Sequence, residues 1–248
     1  MSGECFVHQQ VISSVLGIDC YSLERWIPET LPGELAALPS PSLSEARLRA
    51  GQTEQAKQLV RLGFLRICCQ ANFLMELSGA GVGAPAKNAH GLRNVAGPDG
   101  LDQPQAVLRL DRTLIERHAR NLCISRFSLD PLLPDDYWLE LHRRSVGHAL
   151  ESDLTLKFIY GDSFVCFSLL PDRIFVEQLS VLTPRKGIGS ALLAKVALWG
   201  RAKGFPLLEV CTECDNEGAF LFYLRSGFGV AAFFNVFHFH QGRIAPSC

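Results

Sequence analysis

Three times this chain repeats one short grammar: a helix, a basic residue, glycine, phenylalanine, then a strand. The occurrences are Arg61-Leu62-Gly63-Phe64, Lys203-Gly204-Phe205 and Arg225-Ser226-Gly227-Phe228. Glycine suits the left-handed position just past a helix, and the phenylalanine can fold back on the last helical turn. Helices that hand over repeatedly to strands specify an α/β fold. The first and third occurrences align closely, Leu59-Val60-Arg61-Leu62-Gly63-Phe64 against Tyr223-Leu224-Arg225-Ser226-Gly227-Phe228. Residues 1–76 therefore read as a small α/β module related to the C-terminal part. The competing reading is that ordinary helix-to-strand connections favour the same grammar.

Punctuation along the chain divides it further. Residues 77–105 are Gly-rich, carry Pro85 and Pro98, and lack periodicity, as a linker or long loop would. Pro28, Pro32, Pro39 and Pro41 mark another loop inside the first module. The second module, 106–248, opens with a strand at 106–110 and a helix from Asp111, its N-cap, to about Asn121. A helix at 135–149 follows, then strands 154–160 and 164–169 around the Gly161-Asp162 turn. Strand 174–182, helix 188–203, strand 207–212 and a helix carrying Asn216, Ala219 and Tyr223 complete the order.

The junction at 179–190 is where this pattern becomes chemistry. Leu179-Ser180-Val181-Leu182 runs into Thr183-Pro184-Arg185-Lys186-Gly187-Ile188-Gly189-Ser190, which opens a helix. The first N–H groups of a helix lack intrahelical partners and sit at the positive end of its dipole, so such a turn binds anions. Gly187 and Gly189 remove side chains that would hold a phosphate away, and Arg185 and Lys186 add charge. A lone Gly-x-Gly after a strand is equally compatible with a plain strand-to-helix corner. Downstream, Asn216 and Tyr223 stand seven residues apart and so share one helix face.

Strand, Gly-x-Gly turn, helix, strand, Asn-x-x-Ala-x-x-x-Tyr helix, Gly-Phe and strand together resemble the GNAT superfamily of acyl-coenzyme A-dependent N-acetyltransferases. The resemblance covers about 176–228 and implies a mixed, splayed central sheet flanked by helices. It implies acetyl-coenzyme A as co-substrate, with Leu179, Ser180, Val181, Arg185, Lys186, Gly187, Ile188, Gly189, Ser190, Asn216 and Ala219 contacting it. It also implies that Tyr223 stands at the sulfur as general acid. One departure is visible: Pro184 occupies the place of the family's Arg or Gln and lacks an N–H donor. Arg185 and Lys186 can compensate in charge. On this resemblance the first module is half-GNAT-like.

A narrower resemblance rests on Ser125-Arg126-Phe127-x-x-Asp130-Pro131, on Ala46-Arg47 leading into a helix, and on Leu62-Gly63-Phe64 with the shortened turn at Pro184. These look like the bacterial dTDP-fucosamine acetyltransferase group, which acetylates the 4-amine of a dTDP-4-amino-4,6-dideoxyhexose. It implies that Arg126, Asp130 and Arg47 line a pocket for a nucleotide-linked amino sugar. Glu177 is the candidate base, because GNATs often present a Glu there, and period-two alternation puts it on one face with Phe175, Leu179 and Val181. A surface carboxylate and a water chain remain the alternative. Rival functions are acetylation of a protein, polyamine or aminoglycoside amine, and a non-catalytic acyl-coenzyme A-binding or interaction module.

Bulk properties narrow the partners. A net charge of −1 gives no electrostatic case for nucleic acid or an anionic membrane. No stretch reaches membrane-span length, and Met1-Ser2-Gly3-Glu4-Cys5 lacks a signal-peptide character, so a cytoplasmic protein is expected. The 9 cysteines read as small core hydrophobes, and Cys211-x-x-Cys214 lacks a second ligand pair at zinc spacing. His238 and His240 alternate with Phe237 and Phe239 as in a half-exposed strand, and no metal is expected there. The Phe-rich strand 231–239 would suit a homodimer edge.

Overall fold

The computed structural model describes residues 5–16, 18–77, 104, 111–134 and 137–242. The strand expected at 106–110 and nearly all of the linker at 77–105 lie outside the described residues. The elements in chain order are β1 (Phe6–His8), α1 (Gln10–Leu16), β2 (Asp19–Leu23), α2 (Leu31–Ala37), β3 (Ser42–Arg49), α3 (Thr53–Arg61) and β4 (Leu65–Glu76). They continue with α4 (Arg112–Asn121), α5 (Tyr137–Glu151), β5 (Leu156–Tyr160), β6 (Ser163–Leu169), β7 (Ile174–Ser180), α6 (Ile188–Ala202), β8 (Leu207–Glu213), α7 (Glu217–Arg225) and β9 (Gly229–Gln241).

All strands join one 9-stranded sheet in the order β1-β2-β3-β9-β4-β8-β7-β6-β5. Its two ends repeat each other. Parallel β2 and β3 flank α2 as parallel β7 and β8 flank α6, and an antiparallel neighbour lies outside each pair. α3 then leads into β4 as α7 leads into β9, and these two strands pair antiparallel at the sheet centre. Each crosses to the other end: β9 lies against β3, and β4 against β8.

The repeated grammar takes one geometry at all three sites. Gly63, Gly204 and Gly227 have φ of 93°, 83° and 94°. The next N–H reaches back to the helix: Phe64 to the Leu59 carbonyl at 3.0 Å, Phe205 to Gly200 at 3.0 Å and Phe228 to Tyr223 at 3.1 Å. Such left-handed turns close a helix and aim the phenylalanine at the core.

Cross-strand register puts α2, α3, α6 and α7 on one sheet face. Their cores include Leu31, Leu35, Leu59 and Phe237 at one end and Leu192, Val196, Phe73 and Tyr223 at the other. The opposite face carries α1, α4 and α5, with Leu43, Phe127 and Leu141 in one cluster and Val146, Leu150 and Phe164 in another. Asp111 caps α4 as expected, its Oδ1 accepting from the Leu114 N–H at 2.8 Å.

Several expectations need correction. The Pro28–Pro41 stretch contains α2, with a proline at its first positions, where the missing N–H costs nothing. Ala46 and Arg47 lie within β3 and lead into α3 only after a turn. The Phe-rich strand is β9, which lies between β3 and β4 and pairs with both over Phe234–His238, so it is not the edge strand expected. No helix among the described residues is long and apolar enough to cross a membrane.

Candidate functional site

The sheet opens at one place. β7 and β8 pair only at Ile174–Leu208, Phe175–Glu209 and Val176–Val210. Beyond that point β7 stays bonded to β6 as far as Ser180, and β8 to β4 as far as Glu213. The inner edges of the two strands therefore separate into a wedge, with backbone N–H and C=O groups unused by the sheet. At the far end of β7 lies the glycine turn. Gly187 is the N-cap of α6 at φ 75°, and Arg185 holds φ 63°, a left-handed value rare for a side-chain-bearing residue. The first helical bond runs from the Ala191 N–H to the Gly187 carbonyl at 2.9 Å. The N–H groups of Ile188, Gly189 and Ser190 precede that bond and are available to an anion. Thr183 through Gly187 are all exposed.

The residues expected at the cofactor divide by what they touch. Leu179, Val181 and Ile188 are half-buried along the wedge and turn. The Ser180 side chain is fully buried, its Oγ bonded to His118 Nδ1 at 2.8 Å and to Asn121 Nδ2 at 3.1 Å. It anchors β7 to α4, so only its backbone is free to meet a ligand. Gly189 is small for a second reason, since a Cβ there would stand 3.1 Å from the Phe222 ring on α7. Asn216 caps α7, its Oδ1 accepting from the Ala219 N–H at 3.1 Å.

Tyr223 projects from α7 into the core beneath the wedge, among Phe73, Phe222 and Phe228. Burial pushes its phenol well above the usual value, and Cys211 and Glu213 push the same way. The hydroxyl keeps its proton at neutral pH and can donate it.

Glu177 occupies a β-bulge that the period-two pattern did not anticipate. Cys166 pairs with Gln178 and Phe167 with Val176, so Glu177 is the extra residue on β7. The bulge breaks the expected shared face: Leu179 packs with the α6 core, whereas Gln178 reaches Ser145 on α5 at 2.8 Å. Glu177 itself is exposed at the rim of the wedge and accepts from Ser168 Oγ at 2.7 Å.

On the face carrying α4 and α5, a cavity of about 410 Å³ is lined by Tyr21, Glu45, Arg47, Asn72, Arg126 and Phe234, among others. Arg47 and Arg126 thus come together although they stand 79 positions apart in sequence. The Arg126 guanidinium pairs with Glu45 and stacks 4.5 Å from the Phe127 ring centre, while its backbone N–H reaches Glu213 Oε1 at 3.1 Å. Burial alone would pull Arg126 down, but Glu45 and Glu213 hold it above its usual value. Burial would likewise raise Glu45, yet Arg126 and His238 bring it to about 2. Glu213, a buried carboxylate at the end of β8, also accepts from Gln70 Nε2 at 3.1 Å. Nothing in the local sequence marked it, because its role depends on strands far apart in the chain.

Asp130 is placed differently from the expectation. It does not line the cavity; its carboxylate has no exposed surface. Its Oδ2 accepts from His238 Nδ1 at 2.6 Å and His240 Nε2 at 2.8 Å, and its Oδ1 from the Leu132 N–H at 2.9 Å. Burial would raise Asp130, but the two histidines hold it well below the carboxylate range. His238 lies 3.4 Å from Glu45 on its other side. Burial would lower His238, and the Asp130 and Glu45 carboxylates reverse that and raise it. The half-exposed histidine strand of the sequence reading is therefore wrong: both rings are covered by the loop bearing Asp130. The three ligand atoms fall within 4.8 Å of one another, but they already bond each other. Cys211 and Cys214 are thiols at neutral pH, since burial pushes them up to about 11 and about 12.

A wedge between two parallel strands, closed at one end by a glycine turn with free helix N–H groups, is the decisive geometry. Residues 163–228 match the Acetyltransferase (GNAT) family. That span runs from β6 through α7 and holds the wedge, the turn, Asn216 and Tyr223. The fold is a GNAT fold. A functionally unknown conserved protein from Staphylococcus epidermidis superposes with TM-score 0.54 at 11% identity, covering 97% of this chain and 93% of that one. A tandem GNAT protein from the clavulanic acid biosynthesis pathway gives TM-score 0.50 at 12% identity, covering 92% and 76%. No curated protein matches the chain.

Proposed function

We propose that this protein is an N-acetyltransferase that moves the acetyl group of acetyl-coenzyme A to a primary amine of a small molecule within a ternary complex. The observation that carries the reading is the β7–β8 wedge ending at the three free N–H groups of Ile188, Gly189 and Ser190. Those groups, with Arg185 and Lys186, suit a pyrophosphate, and the unpaired strand edges suit an amide-bearing pantetheine arm. Coenzyme A supplies the activated thioester; the chain holds it and manages protons.

Protons must move at both the nitrogen and the sulfur. An ammonium must lose a proton before its nitrogen attacks; as the C–S bond breaks the departing sulfur must gain one, and the nitrogen gives up a second, which replaces the proton the donor to sulfur has lost. Tyr223 is the proposed donor to sulfur, its proton retained by burial and its helix anchored by Asn216. Glu177, exposed and one residue past the last β7–β8 pair, is the proposed acceptor of the amine proton. The cavity bearing Arg47 and Arg126 is the proposed acceptor pocket, and Asp130 supports it from beneath through His238 and His240. A dTDP-linked 4-amino-4,6-dideoxy sugar is the proposed acceptor, because the Ser-Arg-Phe-x-x-Asp-Pro segment forms part of that pocket's surroundings.

A thiol-release assay with acetyl-coenzyme A against dTDP-amino sugars, amino acids, polyamines and aminoglycosides tests the reading. Turnover with a dTDP-amino sugar supports it in full. Turnover of polyamines or aminoglycosides alone overturns the acceptor, and no turnover with any amine overturns the activity.

A further inference from the structure

Of the two arginines on the cavity wall, only one has its charge answered. Arg126 is neutralised by Glu45 and stacked on Phe127. Arg47 lies over the Phe234 ring, 5.0 Å from its centre, and donates to the Cys211 sulfur at 3.7 Å. That thiol is uncharged. Among the described residues no carboxylate pairs with Arg47. The acids nearby are bonded elsewhere: Glu45 to Arg126 and His238, Glu209 to Asn72 and Arg173, Glu213 to Gln70 and the Arg126 backbone, and Glu24, also on the cavity wall, to Ser22 Oγ. Their donors hold them away from Arg47, while Phe234 fixes its planar fork in place. Arg47 is exposed on the cavity wall, and an accessible guanidinium held over a ring is pre-organised for a carboxylate or phosphate.

The position of this charge relative to the wedge sets a length. Cys211 and Glu213 alternate along β8 and share the cavity face, about 7 Å apart at the rise of a strand. The wedge begins just past Val210, so Arg47, at Cys211, stands beside its narrow end and roughly that distance from its open end at Glu213. We infer that the cavity takes an acceptor carrying an acidic group, carboxylate or phosphate, several bonds from its reacting amine, and that Arg47 binds that group. The inference rests on the acetyl-transfer reading and narrows it: simple polyamines and aminoglycosides bring only positive charge to this wall.

The test uses matched pairs that differ in the acid: γ-aminobutyrate and butylamine, O-phosphoethanolamine and ethanolamine, a dTDP-amino sugar and the free amino sugar. Thiol release is measured with wild type, Arg47→Gln and Arg47→Lys. In wild type, kcat/KM for the acid-bearing member of a pair exceeds its partner by at least about tenfold, as a charge-assisted contact implies. In Arg47→Gln the ratio collapses toward one through KM, and Arg47→Lys retains part of it. Preference for phosphate over carboxylate, or the reverse, names the group. Equal or better turnover of acid-free amines, or an equal loss for both members in Arg47→Gln, overturns the inference. Calorimetry separates it from the activity: the acid-bearing probes are titrated into coenzyme A-saturated wild type and Arg47→Gln. Binding that needs Arg47 supports the inference even if no amine is acetylated. Binding that survives Arg47→Gln, or absence of binding by every acid-bearing probe, refutes it.

Discussion

Asp130→Asn is the perturbation whose effect the structure sets most fully. The carboxylate has no exposed surface and receives His238 at 2.6 Å and His240 at 2.8 Å on one oxygen. Asparagine keeps one acceptor oxygen but cannot answer both imidazoles and Leu132, and it removes the charge that helps hold His238 protonated. Breaking a buried pair by deleting one partner costs about 3–5 kcal/mol. For a chain of this size each kcal/mol moves the melting temperature by roughly 2–4 °C, so a loss of roughly 6–20 °C is expected. The pH dependence has a definite sign. His238 is raised in the folded protein, so its contribution is complete below its ordinary value of 6.5 and fades as pH climbs through the raised one. Asp130 is depressed, so its contribution is present above 3.8 and fades as pH falls through the lowered one. The variant's deficit is therefore largest between 3.8 and 6.5 and shrinks on the alkaline side. Thermal melts of wild type and variant by circular dichroism, at about pH 5.5 and about pH 9.5, measure it. A deficit under about 2 °C, or one equal at both pH values, refutes the account of this cluster.

Tyr223→Phe should lower kcat by about 100-fold or more while leaving coenzyme A affinity within about twofold, read by steady-state kinetics and calorimetry; an intact kcat removes the acid role. Glu177→Gln should erase the acidic limb of the kcat/KM pH profile. A limb that persists there but vanishes in Glu213→Gln moves the base from β7 to β8. Gly200→Ala places a Cβ 2.4 Å from Ile174 Cδ1 and 3.1 Å from Leu77 Cδ1, both fully buried. Overpacking of about 1–3 kcal/mol then outweighs a helix-propensity gain of about 1 kcal/mol. Urea unfolding should show a net loss, and a stabilised variant would contradict the packing described.

What the sequence made legible was local. Gly63, Gly204 and Gly227 announced three helix ends because left-handed geometry is confined to a few residues, and Asp111 announced a cap for the same kind of reason. The turn at Gly187 and the Asn216–Tyr223 helix were readable because spacing along one helix fixes a shared face. What escaped was set by pairing between distant strands. The bulge at Glu177 follows from a register with β6 that no alternation pattern encodes. The Phe-rich strand suited an exposed edge when taken alone, yet β9 lies between β3 and β4, partners that its own residues do not name. Asp130 looked like a pocket residue until His238 and His240, more than 100 residues away, closed over it. Glu213 carried no motif at all.

In the function proposed here, the β7–β8 wedge and the α6 turn form one coenzyme A site. The sheet's other parallel pair, β2 and β3, stays bonded over five residue pairs, from Asp19–Ser42 to Leu23–Ala46, and opens no second wedge. Isothermal titration of coenzyme A into the protein decides the matter directly. One site per chain is expected, weakened at least about tenfold by the exposed charge reversal Lys186→Glu. Absence of binding, two sites per chain, or affinity indifferent to Lys186→Glu would contradict it.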